Sequence, residues 1–126
     1  MTWAKRTAVQ LSCLLLILSN LVAQEKIQIG LAETDITPPI GFPMAGYFHE
    51  RLAEGEVDPL KAKCIVFRSE TQQAALVVCD LIAASADFSI EVKRLASEQT
   101  GIPASNIIVS ATHSHTAPDY TKSMYA

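Results

Sequence analysis

The chain has 126 residues and a net charge of −3 at pH 7, so it forms one domain at most and carries no basic excess. A chain of this charge is a poor candidate for binding nucleic acid or an anionic membrane surface. Its three cysteines lack the spacing of a cysteine zinc site, which excludes that class of metal protein.

The first 23 residues are typical of an export signal. Lys5 and Arg6 give a positive start, residues 11–18 form the apolar core, and the small Ala23 precedes the expected cleavage point. The core is shorter than the roughly 20 residues of a spanning helix, which argues against a membrane anchor. Cleavage would leave residues 24–126 with eight basic and thirteen acidic residues, a net charge of −5, in a secreted or periplasmic protein.

The mature part begins with an alternating apolar pattern. Ile27, Ile29 and Leu31 have the period of a half-buried strand, which the two prolines at 38–39 would end. No period continues through residues 40–59, where glycine recurs, so this segment is predicted to be a long loop with a functional role.

Residues 60–111 predict a strand hairpin followed by a helix and another strand. The runs "LKAKCIVF" and "QQAALVVCDLIA" flank a polar turn, as in a hairpin. Residues 106–111 read as a buried strand parallel to 74–80, across a right-handed helical crossover. The expected fold class is therefore α/β, a mixed sheet with a βαβ unit and the histidine motif at the carboxyl end of a buried strand, in an incomplete domain.

The helix of this unit has recognisable ends. Ser85 or Asp87 can cap its start, and Gly101 can stop it. Its apolar positions have the spacing of one buried stripe, which comprises Phe88, Val92, Leu95 and Ala96.

Three further residues lie in or at the end of the predicted strands. Asp80 would orient a histidine or make a turn, and the sequence does not decide between these roles. Cys64 and Cys79 stand in apolar runs, and both a disulfide and two buried thiols remain open.

Two of the three histidines, His113 and His115, stand one residue apart in "SATHSHTAPDY", directly after a predicted buried strand. Open α/β sheets place ligand sites at the carboxyl ends of their strands. In extended backbone both rings would point to one side, with Cα atoms about 7 Å apart. The pair could supply two metal ligands, or one ligand and one proton-transfer group; ordinary loop histidines are the alternative.

The stretch "NIIVSATHSHTAPDY" resembles the histidine motif of the neutral/alkaline ceramidases, a buried strand followed by Thr-His-Thr-His, a small hydroxyl residue, Gly and Pro. The stretches "IGLAETDITPP", "PMAGYFHERLAEGEVDPLKAKCIVF" and "ALVVCDLI" match other landmarks of the family in the same order, so the resemblance covers nearly all of residues 27–120. These proteins are secreted or membrane-associated zinc amidases that cleave the N-acyl bond of ceramide. Ala117 stands where the family has glycine, which predicts a narrower lipid entrance.

The resemblance implies roles for four residues. His113 would be a zinc ligand, and His115 would act catalytically on the reacting groups beside the metal. Gly46 and Tyr47, in the loop "MAGY", would bind the substrate. The family's other ligands lie far beyond this motif, so residues 24–126 would be the amino-terminal portion of a ceramidase-like domain, inactive by itself. The implied partners are a lipid-like N-acyl amide substrate, a membrane contacted peripherally, and the remainder of a longer chain.

A competing interpretation is a truncated or remodelled exported module that keeps the scaffold and binds without catalysis. The sequence offers few other site candidates. His49, between Phe48 and Glu50, is expected to be solvated, and the acidic residues between 50 and 58 lack the spacing of a calcium loop.

Overall fold

A computed structural model describes residues 26–118 and Tyr120 of the chain. The export signal predicted for residues 1–23 lies outside these residues. In chain order the elements are β1 (Gln28–Asp35), β2 (Lys61–Arg68), β3 (Gln73–Cys79), α1 (Ala86–Thr100), a short 3-10 helix (Ala104–Asn106) and β4 (Ile107–Ala111).

The four strands form one mixed sheet in the order β1-β2-β3-β4. β1 and β3 both run antiparallel to β2, and β4 runs parallel to β3, with Ala75 opposite Ile107. The polar segment between Arg68 and Gln73 therefore closes a hairpin, as predicted. The parallel pairing of β3 and β4 across α1 confirms the βαβ unit and the α/β class.

Local side-chain chemistry sets both ends of α1. The Ser85 hydroxyl accepts a hydrogen bond from the backbone N–H of Phe88, which satisfies one of the free donors of the first turn. At the other end Gly101 adopts φ 75° and donates its N–H to the carbonyl of Ser97. Of the two caps proposed for the start, Ser85 is the one used.

The helix covers one side of the sheet only. Ala75, Ile102 and Ile107 form the buried cluster, and the residues packed against it are Cys64, Val66, Ala96 and Val109. Phe88 and Val92 are half-buried, but Leu95 is 43% exposed, so the predicted apolar stripe was wrong at this position.

The opposite side of the sheet is apolar and exposed. Ile29 and Leu31 of β1 are 63% and 76% exposed, so the prediction of a half-buried strand was wrong about burial, though right about the strand. β1 is an edge strand, and nothing among the described residues covers this face. Leu31 pairs across the sheet with Ile65, which pairs with Leu76.

The sequence left open whether Cys64 and Cys79 form a disulfide or remain two thiols. In the structure both are free thiols. Burial, and to a lesser extent the charge of Asp80, raises the pKa of the Cys79 thiol, so this thiol is protonated at neutral pH. Within the described part of the chain, no helix has the length and apolarity to cross a membrane.

Candidate functional site

The ends of β3 and β4 remain hydrogen-bonded beyond the strands. The N–H of Thr112 donates to the carbonyl of Cys79, and that of Ser114 to the carbonyl of Leu81. The Asp80 carboxylate accepts from the N–H of Lys61 at 2.9 Å and from the Thr112 hydroxyl at 3.1 Å. Asp80 therefore ties β2, β3 and the chain after β4 together, and the structure gives it a role in backbone geometry, with no hydrogen bond to a histidine.

His113 has a left-handed backbone conformation. Its φ of 61° makes it the one non-glycine residue with positive φ in the described chain, an uncommon conformation for a residue with a side chain. The expectation of extended backbone here was wrong, because β4 ends at Ala111. The imidazole turns toward the segment that follows β3, and its Nδ1 lies 2.8 Å from the carbonyl oxygen of Ile82.

His115 is oriented by the loop that precedes β2. Its Nδ1 lies 2.9 Å from the carbonyl oxygen of Gly46, a residue 69 positions earlier. Gly46 has φ 89°, and a Cβ atom there would lie 2.5 Å from Nδ1 of His115. Only glycine fits this position without displacing the ring, which gives a physical reason for glycine in "MAGY".

These two contacts fix how the imidazoles present their other nitrogens. A backbone carbonyl only accepts, so each Nδ1 must carry the proton, and in a neutral ring Nε2 then carries a lone pair. The Nε2 atoms of His113 and His115 lie 3.4 Å apart, with the rings nearly perpendicular at 81°. The site thus places two Nε2 lone pairs next to each other.

This arrangement fits part of a zinc site. Zinc takes neutral imidazole nitrogens at about 2.0–2.1 Å in tetrahedral geometry, whose edge is then about 3.4 Å. A histidine ligand typically donates its other N–H to a backbone carbonyl, as both rings do here. No group of three or more metal-ligating side chains occurs within residues 26–118, so this part of the chain does not form a complete zinc site by itself.

Tyr47 lies beside the pair, where the sequence predicted a substrate-binding residue. Its ring meets that of His115 edge-on, with centroids 6.5 Å apart, and it is 37% exposed. The guanidinium of Arg51 lies over the same ring, 3.8 Å from its centroid, and its Nη2 donates to the backbone carbonyl of His115 at 2.8 Å. Sequence reasoning missed Arg51, because no local pattern reports a contact across 64 residues.

The rest of the loop is held to the histidine motif by backbone hydrogen bonds. The N–H of Ala45 donates to the carbonyl of Ala117, and Met44 pairs with Pro118. The long loop is therefore attached directly to the candidate site. Ala117 is fully buried, so its methyl group packs inside the molecule.

The remaining candidates stay outside the site. His49 is exposed and contacts the edge of Tyr47, with ring centroids 5.8 Å apart. The carboxylates at positions 50–58 form no metal-ligating group within the described ranges.

The fold that carries this pair occurs in known enzymes. The crystal structure of neutral ceramidase from Pseudomonas aeruginosa matches 76% of this chain with a TM-score of 0.64 and 24% sequence identity. This chain folds like part of a neutral ceramidase. A structure of ceramidase complexed with C2 matches 76% of the chain with a TM-score of 0.67 and 24% identity.

The match covers most of this chain but only a small part of each neutral ceramidase chain. The chain spans only 16% of the length of each of these two ceramidase chains. No family model matches the sequence, and no curated protein matches it. At this identity the likeness establishes a ceramidase-like fold, as the histidine motif predicted.

Proposed function

We propose that the chain is the amino-terminal portion of an exported zinc-dependent amide hydrolase that cleaves the N-acyl linkage of ceramide or a related lipid. The observation that carries this proposal is the convergence of the two Nε2 atoms, 3.4 Å apart, on a scaffold shared with neutral ceramidases. The fold alone would not carry it, because one scaffold can support different functions.

In this proposal His113 holds the metal. Its Nδ1–H group donates to the carbonyl of Ile82, which leaves Nε2 as a lone-pair donor in a fixed direction. The left-handed backbone of His113 turns the ring out of the line of β4 and toward that carbonyl. Zinc bound there would lower the pKa of a water molecule to about 7 and polarise an amide carbonyl.

His115 transfers protons at the reacting centre in the same proposal. Its Nε2 faces that of His113, and the carbonyl of Gly46 keeps its Nδ1 protonated, so Nε2 can accept a proton from an attacking water. The ring can then return that proton to the leaving amine nitrogen. Gly46 and Tyr47, next to His115, would line the approach of the acyl amide.

Single substitutions in the full-length protein separate the two histidines. His113→Ala should remove zinc and activity together, because it deletes the ligand. His115→Ala should retain most of the zinc and lose roughly 100-fold or more in turnover, since general acid–base catalysis contributes that much. Zinc is measured by elemental analysis, and activity on ceramide and on simpler N-acyl amines.

The third histidine provides the matched control. His49→Ala changes an exposed ring outside the pair and should retain both zinc and activity. Wild-type zinc and activity in both His113→Ala and His115→Ala would contradict the proposal and leave a pair of ordinary loop histidines. Loss of zinc in both variants would make His115 a second ligand, which the tetrahedral edge length also permits.

Export is a separate part of the proposal. It rests on the basic start and apolar core within residues 1–23 and predicts a mature protein that begins near Gln24. Amino-terminal sequencing of the exported protein tests it. Recovery of the protein in the cytoplasm with Met1 intact would contradict it.

A further inference from the structure

We infer that Arg51 is a positioning residue that holds the His115 imidazole with Nδ1 toward Gly46 and Nε2 toward His113. Its guanidinium contacts both chain segments that determine the direction of this ring. The effect of Arg51 on catalysis rests on the proposed function, but its effect on the ring does not.

The first contact is with the backbone of His115 itself. Nη2 of Arg51 donates to the His115 carbonyl oxygen at 2.8 Å, across 64 residues of sequence. This bond fixes the peptide plane that follows His115. The direction of the His115 Cα–Cβ bond depends on the orientation of that plane, and the position of the imidazole ring depends on that bond.

The second contact is with the loop that accepts the His115 proton. The guanidinium stacks over Tyr47, 3.8 Å from the ring centroid, and Tyr47 directly follows Gly46. The carbonyl of Arg51 also accepts from the N–H of Met44 at 2.8 Å. Arg51 therefore holds the loop on both sides of Gly46 while it holds His115, and the Gly46–His115 hydrogen bond completes a closed ring of contacts.

Arginine suits this role because of its shape. A planar guanidinium can stack on an aromatic face and donate hydrogen bonds from its edge at the same time, which a lysine ammonium cannot. Its Nε is buried and has no hydrogen-bond partner among the described residues. The contacts with His115 and Tyr47 thus determine the position of the side chain, and in this position the Nε–H group makes no hydrogen bond with the described residues.

The tautomer of His115 tests this inference directly. In the full chain with 15N-labelled histidine and the metal removed by chelation, NMR reports which ring nitrogen carries the proton, and His115→Ala assigns the signals. Wild-type His115 should be the Nδ1–H tautomer. Arg51→Gln should convert it to a mixture with Nε2–H, while Arg68→Gln, an exposed arginine at the end of β2, should leave it unchanged.

Kinetics give a second reading, with wild-type folding checked by thermal melting. Arg51→Gln should lower kcat roughly 10- to 100-fold with little change in KM, as expected when a residue that orients a catalytic group is lost. If Arg51→Gln fails to fold, Tyr47→Leu removes the stacking partner and should produce the same tautomer mixture. A wild-type tautomer in the folded variant would overturn the inference. A wild-type protein without zinc or amidase activity would instead refute the proposed function, and the tautomer would still decide the role of Arg51.

Discussion

Gly46 shows how one residue without a side chain determines the geometry of the site. A methyl group at this position would lie 2.5 Å from Nδ1 and 2.6 Å from Cγ of His115, and the backbone φ of 89° disfavours any L side chain. Gly46→Ala should therefore displace the His115 ring and lower the free energy of unfolding by about 1–2 kcal/mol, the typical cost of a left-handed conformation. Thermal melting and amidase activity of the full-length protein would measure the two effects.

Gly55 provides the control in the same loop. A Cβ atom there meets nothing within 4 Å, and its φ does not lie in the left-handed region. Gly55→Ala should leave activity and stability near those of the wild type. If Gly46→Ala behaved like Gly55→Ala, the contact between Gly46 and His115 would not matter for the site.

Elements defined by local sequence were predicted well. Ser85 and Gly101 act within one turn of α1, so their chemistry is visible in the sequence. The apolar runs and short connections in the sequence predict the hairpin and the β3–α1–β4 unit. The observed strand pairings, antiparallel for β2 with β3 and parallel for β3 with β4, agree with this prediction. Burial was less predictable, because the exposure of β1 and of Leu95 depends on what packs over them.

The geometry of the candidate site could not be predicted from the sequence alone. The sequence put His113 and His115 side by side, and they do converge, but the reason lies in the left-handed turn at His113 and in two distant carbonyl groups. The contacts of Gly46 and Arg51 with His115 span 69 and 64 residues. Periodicity reports neighbours along the chain, and so it cannot indicate such contacts.

At the scale of the molecule, one face of the sheet is apolar and exposed to solvent. It includes Ile29, Leu31, Phe67 and Ile108, each more than 40% exposed. A contiguous exposed apolar surface of this kind usually packs against another protein surface. The neutral ceramidase chains are about six times longer than the part matched here, so further chain could cover the corresponding face in a longer protein.

This face predicts that residues 24–126 alone will associate in solution. A second copy is the nearest source of matching apolar surface, so sedimentation of this segment should show species larger than a monomer. Leu31→Lys places a charge on this face, on the edge strand β1, and should shift the segment toward monomer. Ile90→Lys is the matched control, because Ile90 is 65% exposed but lies on α1, on the other side of the sheet. A wild-type segment that sediments as a monomer with a cooperative melt would show that the face needs no cover, and the case for an incomplete domain would fail.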